Sequence, residues 1–331
     1  MKSVLNFGIL GCGMIADVHA KAILSLDNAN LYGVADNNLA YAEKFAEKYG
    51  VKAYSNYEQM LADGDVDAVC ICTPSGFHAQ NAICALNAGK NVVLEKPMAI
   101  TYADTQKLID ICKKTDKKLT VISQLRFSKD VNKLKKLVEE KAFGSLAFCN
   151  LYMKYWRSAE YYSSSEWKGT LAFDGGGALM NQGIHGVDLL LYIAGNANVL
   201  GAKKQTVYHN IEVEDSVAAL LQFDNGAIGT VEAATCTYPG FERKIEILGS
   251  NGCAVLCEDK LEKLIVGGQS LLEGDSGTVA ATASNPAAVE YENHAMQIDN
   301  FIKAIQGDEK LLIDGFEGQR AVKLIEEIYS F

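Results

Sequence analysis

Over its first 122 or so residues the chain alternates two hydrophobic patterns. Short continuous apolar runs, "VLNFGIL", "NLYGVAD", "DAVCICTP", "NVVLEKP" and "KLTVISQ", have the length and β-branched content of buried strands. Between them lie stretches with helical spacing of apolar residues. These are "IADVHAKAILSL", "AYAEKFAEKYG" closed by Gly50, "HAQNAICALNAGK" stopped by Gly89, and "TYADTQKLIDICKKT". The last opens on Thr101 as N-cap, with Asp104 three residues on. Strands alternating with helices predict a parallel sheet with helices on both faces, an α/β domain.

The pattern changes after residue 122. A basic helix, "SKDVNKLKKLVEEKAFG", is followed by strand candidates such as "SLAFCNLYMKYWR", "SVAALLQFDNGAIGTVEAATC", "RKIEILGS", "CAVLCED" and "KLIVGG". The turns "DNG" and "SNG" predict hairpins, hence an antiparallel sheet and an α+β second domain. Residues 267–289, rich in Gly, Ser and Ala, read as a loop. Two amphipathic helices, "ENHAMQIDNFIKAIQG" and "FEGQRAVKLIEEIYSF", close the chain and are expected to pack back on the first domain. The expected division is residues 1–122 for the first domain and 123–331 for the second.

A chain of 331 residues with 49% hydrophobic and 22% charged residues suits two globular domains. The net charge of −10 argues against a nucleic-acid or anionic-membrane surface. No apolar run reaches the length of a membrane span, and the start does not read as a signal peptide. A cytoplasmic protein is expected. The nine cysteines are odd in number and lack a CxxC pair, so no metal site is expected and the thiols read as free.

"GILGCGMIA" puts Gly11, Gly13 and Ala16 in the order GxGxxA between a strand and a helix. Gly11 permits the tight turn and Gly13 lets a diphosphate approach the amides at the helix start, beside Met14 and Ile15. Ala16 lets helix and strand pack closely. The next strand ends on Asp36, at the separation expected for the acid that binds ribose hydroxyls. That carboxylate repels a 2′-phosphate, and Asn37 and Asn38 follow where a phosphate binder would prefer Arg. The cofactor expected is therefore NAD rather than NADP.

Two stretches carry candidate chemistry. "EKP", Glu95-Lys96-Pro97, ends a strand, and ligands of open α/β sheets bind beyond the carboxyl ends of strands. Lys96 is expected to face the nicotinamide and serve proton transfer, and Pro97 is a candidate cis proline. Downstream, glycines 175 to 177 permit close backbone approach, and "ALMNQGIHGVDLLLYIAG" reads as a helix. Asn181, His185 and Asp188 would then share one polar face, opposite Leu179, Ile184, Leu189, Leu190 and Ile193. His185 is the natural proton acceptor near neutral pH. Asp188 either orients it or sits deeper as a structural acid. In "YWRSAEYYSSSEWKGT", Arg157 suits a carboxylate or phosphate, and Tyr161, Tyr162 and Trp167 suit a sugar face.

Taken in order, GxGxxA at 11–16, "TPSGFH" at 73–78, "EKP" at 95–97 and GGG…H…D at 175–188 resemble the glucose–fructose oxidoreductase / inositol dehydrogenase / rhizopine catabolism (Gfo/Idh/MocA) family. The likeness extends to "EDSVAALLQFDNGAIGTVEAA" and "DGFEGQRAVKLIEEIY". It implies an N-terminal Rossmann domain and a C-terminal α+β domain with a large, mostly antiparallel sheet. The open face of that sheet would make a homodimer or homotetramer. It implies hydride transfer between NAD(P) and a carbinol of a sugar, cyclitol or related compound. Lys96 and His185 would be the proton-handling residues, with Asn181 positioning a neighbouring hydroxyl. Thr73, Pro74, Ser75, His78, Glu95 and Gln124 would line the cofactor, and Arg157, Trp167, Asn181 and His185 the substrate.

The chain departs from the family pattern twice. Inositol-dehydrogenase-like members carry Asp where this chain has Asn181, so an Asp–His relay is absent. The Asn form resembles a branch that includes dehydrogenases of nucleotide-linked N-acetylhexosaminuronic acids. The usual "TPN" is "TPS" here. Two rival readings share the fold: a non-catalytic NAD-sensing regulator, which would need neither Lys96 nor His185, and an NAD-dependent glycosidase.

Overall fold

The protein is described by a computed structural model covering residues 4–272 and 290–331. It divides into two compact units, Met1–Gln124 with Val289–Gln319, and Leu125–Ala288 with Arg320–Phe331.

The first unit is built on six parallel strands: β1 (Leu5–Leu10), β2 (Ala29–Ala35), β3 (Lys52–Tyr54), β4 (Ala68–Ile71), β5 (Asn91–Leu94) and β6 (Leu119–Val121). Their order is β3-β2-β1-β4-β5-β6. It reverses direction between β1 and β4, the place where doubly wound sheets open a crevice for a dinucleotide. All four residues of β4 are buried, which is why the sequence there shows a solid apolar run rather than alternation. Thr101 caps its helix as expected, its hydroxyl accepting from the Asp104 amide at 3.1 Å. The sequence pattern missed β3 and the helix Tyr57–Ala62, which at three and six residues are too short to develop a period.

The first unit runs to Gln124 and takes in residues from the closing part of the chain as well. The helix Glu292–Gln306 belongs to the first unit. It buries Ile298, Phe301 and Ile302 in one cluster with Ile9, Ile23 and Val34, worth about 6 kcal/mol of apolar burial. Its Gln297 is held at both ends. The side-chain amide donates to Thr120 Oγ1 (3.0 Å) and the Val121 carbonyl (2.8 Å), and its Oε1 accepts from the Ser123 amide (3.1 Å).

The second unit holds an eight-stranded sheet: β7 (Leu146–Lys154), β8 (Ala197–Gln205), β9 (Ser216–Phe223), β10 (Ile228–Ala234), β11 (Lys244–Gly249), β12 (Gly252–Cys257), β13 (Lys260–Val266) and β14 (Gln269–Ser270). The order is β14-β13-β12-β11-β7-β10-β9-β8. Every pairing is antiparallel except β7 with β10. "DNG" and "SNG" form the expected hairpins β9–β10 and β11–β12. Of the loop expected over 267–289, β14 is a short strand and residues 273–289 lie outside the described residues.

Burial alternates along β9. Val217, Ala219, Leu221 and Phe223 face inward, whereas Leu220 is exposed. Register puts Leu220 opposite Thr230, Gln222 opposite Ile228, and Ile228 beside Phe148. Leu220, Ile228 and Phe148 therefore share one face, and all three are exposed. Among the described residues no helix is long and apolar enough to cross a membrane. None of the nine cysteines is in a disulfide.

Candidate active site

In the first unit, β1 runs into a turn with Gly11 at φ +89°. A Cβ on Gly11 would lie 2.8 Å from the Cys72 carbonyl oxygen, so glycine lets the loops after β1 and β4 touch. Gly13 differs. A Cβ there would meet nothing within 4 Å, so the protein's own packing does not require a glycine. Gly13 is the N-cap of the helix Met14–Leu24, which has no side-chain cap. The first amides of this helix are left for an anion, and the bare Gly13 leaves room for it.

Asp36 braces the same turn. One carboxylate oxygen accepts from the Cys12 amide (2.8 Å), the other from the Asn38 amide (2.9 Å). Asn38 in turn caps the next helix through Ala40 (3.1 Å). Asn37 is exposed beside it.

In the "TPSGFH" loop, Ser75 is buried in a short 3-10 turn and His78 starts the helix His78–Asn87. His78 is a staple between loops: Nδ1 lies 2.7 Å from the Pro97 carbonyl and Nε2 2.8 Å from the Thr73 carbonyl. Asn81 Nδ2 donates to Thr73 Oγ1 (3.2 Å). The Lys96–Pro97 peptide is cis. Lys96 follows β5 and is half-buried. Glu95 is buried, and one oxygen accepts from His19 Nε2 at 2.8 Å. Gln124 follows β6, and its buried Oε1 has no hydrogen-bond partner among the described residues, so an acceptor is left over for a ligand.

In the second unit, the glycine run has a clear physical cause. A Cβ on Gly177 would lie 1.9 Å from the Glu214 carbonyl oxygen, and one on Gly176 would lie 2.5 Å from the Tyr329 hydroxyl. What approaches these glycines is the protein itself. The Glu214 side chain accepts from the Gly177 amide (2.9 Å), the Leu179 amide (2.8 Å) and the Tyr329 hydroxyl (2.6 Å). Burial pushes the Glu214 carboxyl above its usual range, against the pull of these donors.

The helix expected from Ala178 onward starts differently. Ala178–Gly183 is a π-helical turn, and the α-helix runs over Ile184–Ala194. A π turn inserts about one residue relative to α-helical spacing, so Asn181 is not in the i, i+4 relation to His185 that an unbroken helix would give. Asp188 also leaves the expected polar face. It is buried against Arg126 in a two-point ion pair of 2.9 and 2.6 Å, which makes it the structural acid of the two alternatives. The apolar residues assigned to the opposite side are buried as expected.

Asn181 and His185 are both half-buried. The Asn181 amide donates to Asp174, which is 1% exposed and also accepts from the Gly169 amide (2.9 Å). This contact gives a physical reason for an amide at 181: a carboxylate there would face a second carboxylate in a buried setting. Asn181 Oδ1 accepts from Gln182 Nε2 (3.0 Å), which also donates to the Tyr161 hydroxyl (2.8 Å). Gln182 Oε1 accepts from Arg157 at 2.7 and 3.2 Å. Arg157 is itself buried and donates to the Trp156 carbonyl as well (2.9 Å). It thus organises the polar floor under Tyr161 and Asn181. Lys168 lies 4.3 Å above the Tyr161 ring and 6.0 Å from that of Trp167, and burial lowers its pKa against the attraction of Asp174. Sequence reasoning missed Asp174, Gln182 and Glu214. Only "FDGGG" and "EDS" hinted that acids flank the glycines.

These features define a dinucleotide-binding oxidoreductase by class: a doubly wound sheet with an uncapped glycine turn and a bracing acid, followed by an α+β domain. A family model described as "Oxidoreductase family, NAD-binding Rossmann fold" matches residues 5–123, and one described as "GFO/IDH/MocA C-terminal domain" matches residues 131–255. The chain belongs to the Gfo/Idh/MocA oxidoreductase family. It is 26% identical to myo-inositol 2-dehydrogenase of Thermotoga maritima over 97% of this chain and 94% of that protein. It is likewise 26% identical to D-glucoside 3-dehydrogenase of Escherichia coli K12, over 99% and 95%. Among solved structures, the WlbA dehydrogenase of Bordetella pertussis, in complex with NADH and UDP-GlcNAcA, is 30% identical with a TM-score of 0.88, covering 98% of this chain and 95% of that one.

Proposed function

We propose that the protein is an NAD-dependent dehydrogenase that oxidises a secondary hydroxyl of a sugar, a cyclitol or a sugar derivative. Within that class a nucleotide-linked N-acetylhexosaminuronic acid is the leading substrate. The observation that carries the reading lies in the first unit: a glycine turn open to a diphosphate, braced by an acid, with Lys96 at the carboxyl end of β5 in the same sheet. The nucleotide-linked acid is supported by Asn181 and by the likeness to WlbA, whose structure holds UDP-GlcNAcA.

The amides at Gly13–Ile15 would hold the diphosphate, Asp36 the adenosine ribose, and Gln124, Thr73, Pro74 and Ser75 the nicotinamide half. Bound NAD supplies the hydride acceptor. Lys96 holds the reacting hydroxyl and takes part in moving its proton, with His185 as acid/base and Asn181 positioning a neighbouring hydroxyl. A sensor of NAD would have no use for that Lys and His pair. The experiment is an NADH-absorbance screen over free and nucleotide-linked sugars, inositols and uronic acids. Release of a chromogenic aglycone without net NADH would favour the glycosidase reading instead.

Asp36 sets the cofactor preference, because its carboxylate repels a 2′-phosphate. Titration by fluorescence should show NAD binding at least about tenfold more tightly than NADP, and Asp36→Ala should weaken NAD by about tenfold or more through loss of charge-assisted hydrogen bonds. Tighter NADP binding by the wild type would overturn the assignment.

The exposed face carrying Phe148, Leu220 and Ile228 supports a homodimer or homotetramer formed through the sheet. Leu220→Asp should shift the sedimentation profile toward monomer without loss of the folded spectrum; an unchanged profile would place the contact elsewhere.

A further inference from the structure

Glu95, expected to line the cofactor, has protein partners for both carboxylate oxygens. Its Oε1 accepts from His19 Nε2 at 2.8 Å, and His294 Nε2 lies 4.0 Å from the same oxygen. Its Oε2 accepts from the backbone amide of Lys96 at 3.2 Å. His19 lies on the helix that starts at Gly13, and His294 on the helix Glu292–Gln306. The two rings meet edge to face with centroids 5.6 Å apart. Both rings and the carboxylate are buried. The titratable groups around them are Cys70 and Cys72 from the β4 segment, His78 from its helix, and Lys96.

His19, Glu95 and His294 have the composition of a metal site, with ligand atoms within 4.8 Å of one another. The shortest contact in the group is the 2.8 Å approach of His19 Nε2 to Glu95 Oε1, a hydrogen bond in length.

We propose that His19 and Glu95 form a buried hydrogen-bonded pair that fixes the Lys96 peptide and holds the Glu95 carboxylate near Lys96, which makes both of them positioning residues for the reaction. The role rests on the reading of Lys96 given above. One carboxylate spans the ring of His19 and the peptide of Lys96, so it ties the helix that begins at the diphosphate turn to the residue that meets the substrate. It also places a negative charge near Lys96. The electrostatics agree. Burial opposes a charge on each partner; the neighbouring Cys72 and Cys70 thiols and then the Glu95 hydrogen bond raise His19 above the ordinary histidine value, while the His19 hydrogen bond and the charges of His19, His294 and Lys96 hold Glu95 down at about 2. Burial and the charge on His19 push His294 down to about 4, so the second ring is neutral at pH 7.

Glu95→Gln keeps the shape and removes the charge. In this variant kcat should fall by about tenfold or more while the NAD dissociation constant stays within about twofold. The acid limb of the kcat/KM profile should move to lower pH by about one unit, because an ammonium that loses a neighbouring anion gives up its proton more readily. A merely structural role would lower stability and leave the limb in place, and that result would overturn the proposal. If Glu95→Gln does not fold, histidine-labelled ¹⁵N spectra of the wild type and of Lys96→Met carry the test, with His19 assigned by His19→Asn. The His19 ring should carry its proton on Nε2, the nitrogen that faces Glu95, and its titration should move to higher pH when the Lys96 charge is gone, since the coupling is reciprocal. A His19 ring with its proton on Nδ1 alone, or one indifferent to Lys96→Met, would overturn it. Full turnover in Lys96→Met would instead overturn the catalytic reading of Lys96 and leave the measured coupling standing.

Discussion

Lys96→Ala is expected to abolish turnover while NAD binds almost as before. Proton transfer by a positioned side chain contributes about 10²–10⁴-fold, and a lysine that also holds the reacting hydroxyl contributes through orientation as well, so a loss of at least about 10³-fold in kcat is expected. The anchoring points proposed for the cofactor are elsewhere, at the open amides after Gly13 and at Asp36. Little local disorder is expected, because Lys96 is half-buried and its neighbours are pinned independently. The Pro97 carbonyl is held by His78, and Glu95 by His19. Steady-state NADH formation read beside an NAD titration checks this. A variant with full activity would remove Lys96 from the chemistry, and one that no longer binds NAD would show that its role lies in the cofactor site.

Gly177→Ala should be among the most damaging of the glycine substitutions. The added Cβ would sit 1.9 Å from a backbone oxygen, and neither the Glu214 carbonyl nor the buried turn can give by that much. To make room, the turn must release the Ala178 amide from the Glu214 carbonyl (2.9 Å) and strain the two amides that donate to the Glu214 side chain. Losing this set costs about 4 kcal/mol, enough to remove a large part of a typical domain's stability. Turnover should fall with it, because Asn181 lies within the turn and His185 just beyond it. Gly13→Ala makes the contrast. There φ is −81° and the space is empty, so urea unfolding should match the wild type while NAD binding weakens. If Gly177→Ala unfolds like the wild type, the glycine run is not there to admit Glu214.

The contrast between these glycines shows what was legible in the sequence. GxGxxA, Asp36 and EKP are local signals: a turn, an acid and a lysine whose meaning depends on a strand ending beside them. Strand and helix patterning supplied that context for both sheets. Contacts made across long sequence separations left no pattern. Tyr329 meets Glu214 across 115 residues, and His19 meets Glu95 across 76. Glu214 reads in sequence only as an acid before a strand, yet it explains why Gly177 must be glycine. Arg157, expected to meet a ligand, also carries protein contacts that the sequence did not show: it lies under Tyr161 and holds Gln182. The π turn at Ala178–Gly183 also escaped, because its apolar spacing over six residues is indistinguishable from one α-helical turn.

The central claim is that a secondary alcohol of a sugar-like molecule reduces NAD on this protein with Lys96 handling the proton. The most direct measurement mixes protein and NAD with UDP-linked N-acetylglucosaminuronic acid, then with free sugars, inositols and uronic acids, and records NADH beside the oxidised product. The account predicts NADH and ketone in equal amounts from at least one of these, and none from Lys96→Ala. NAD bound tightly by the wild type, with no compound in the series reducing it, would contradict the account.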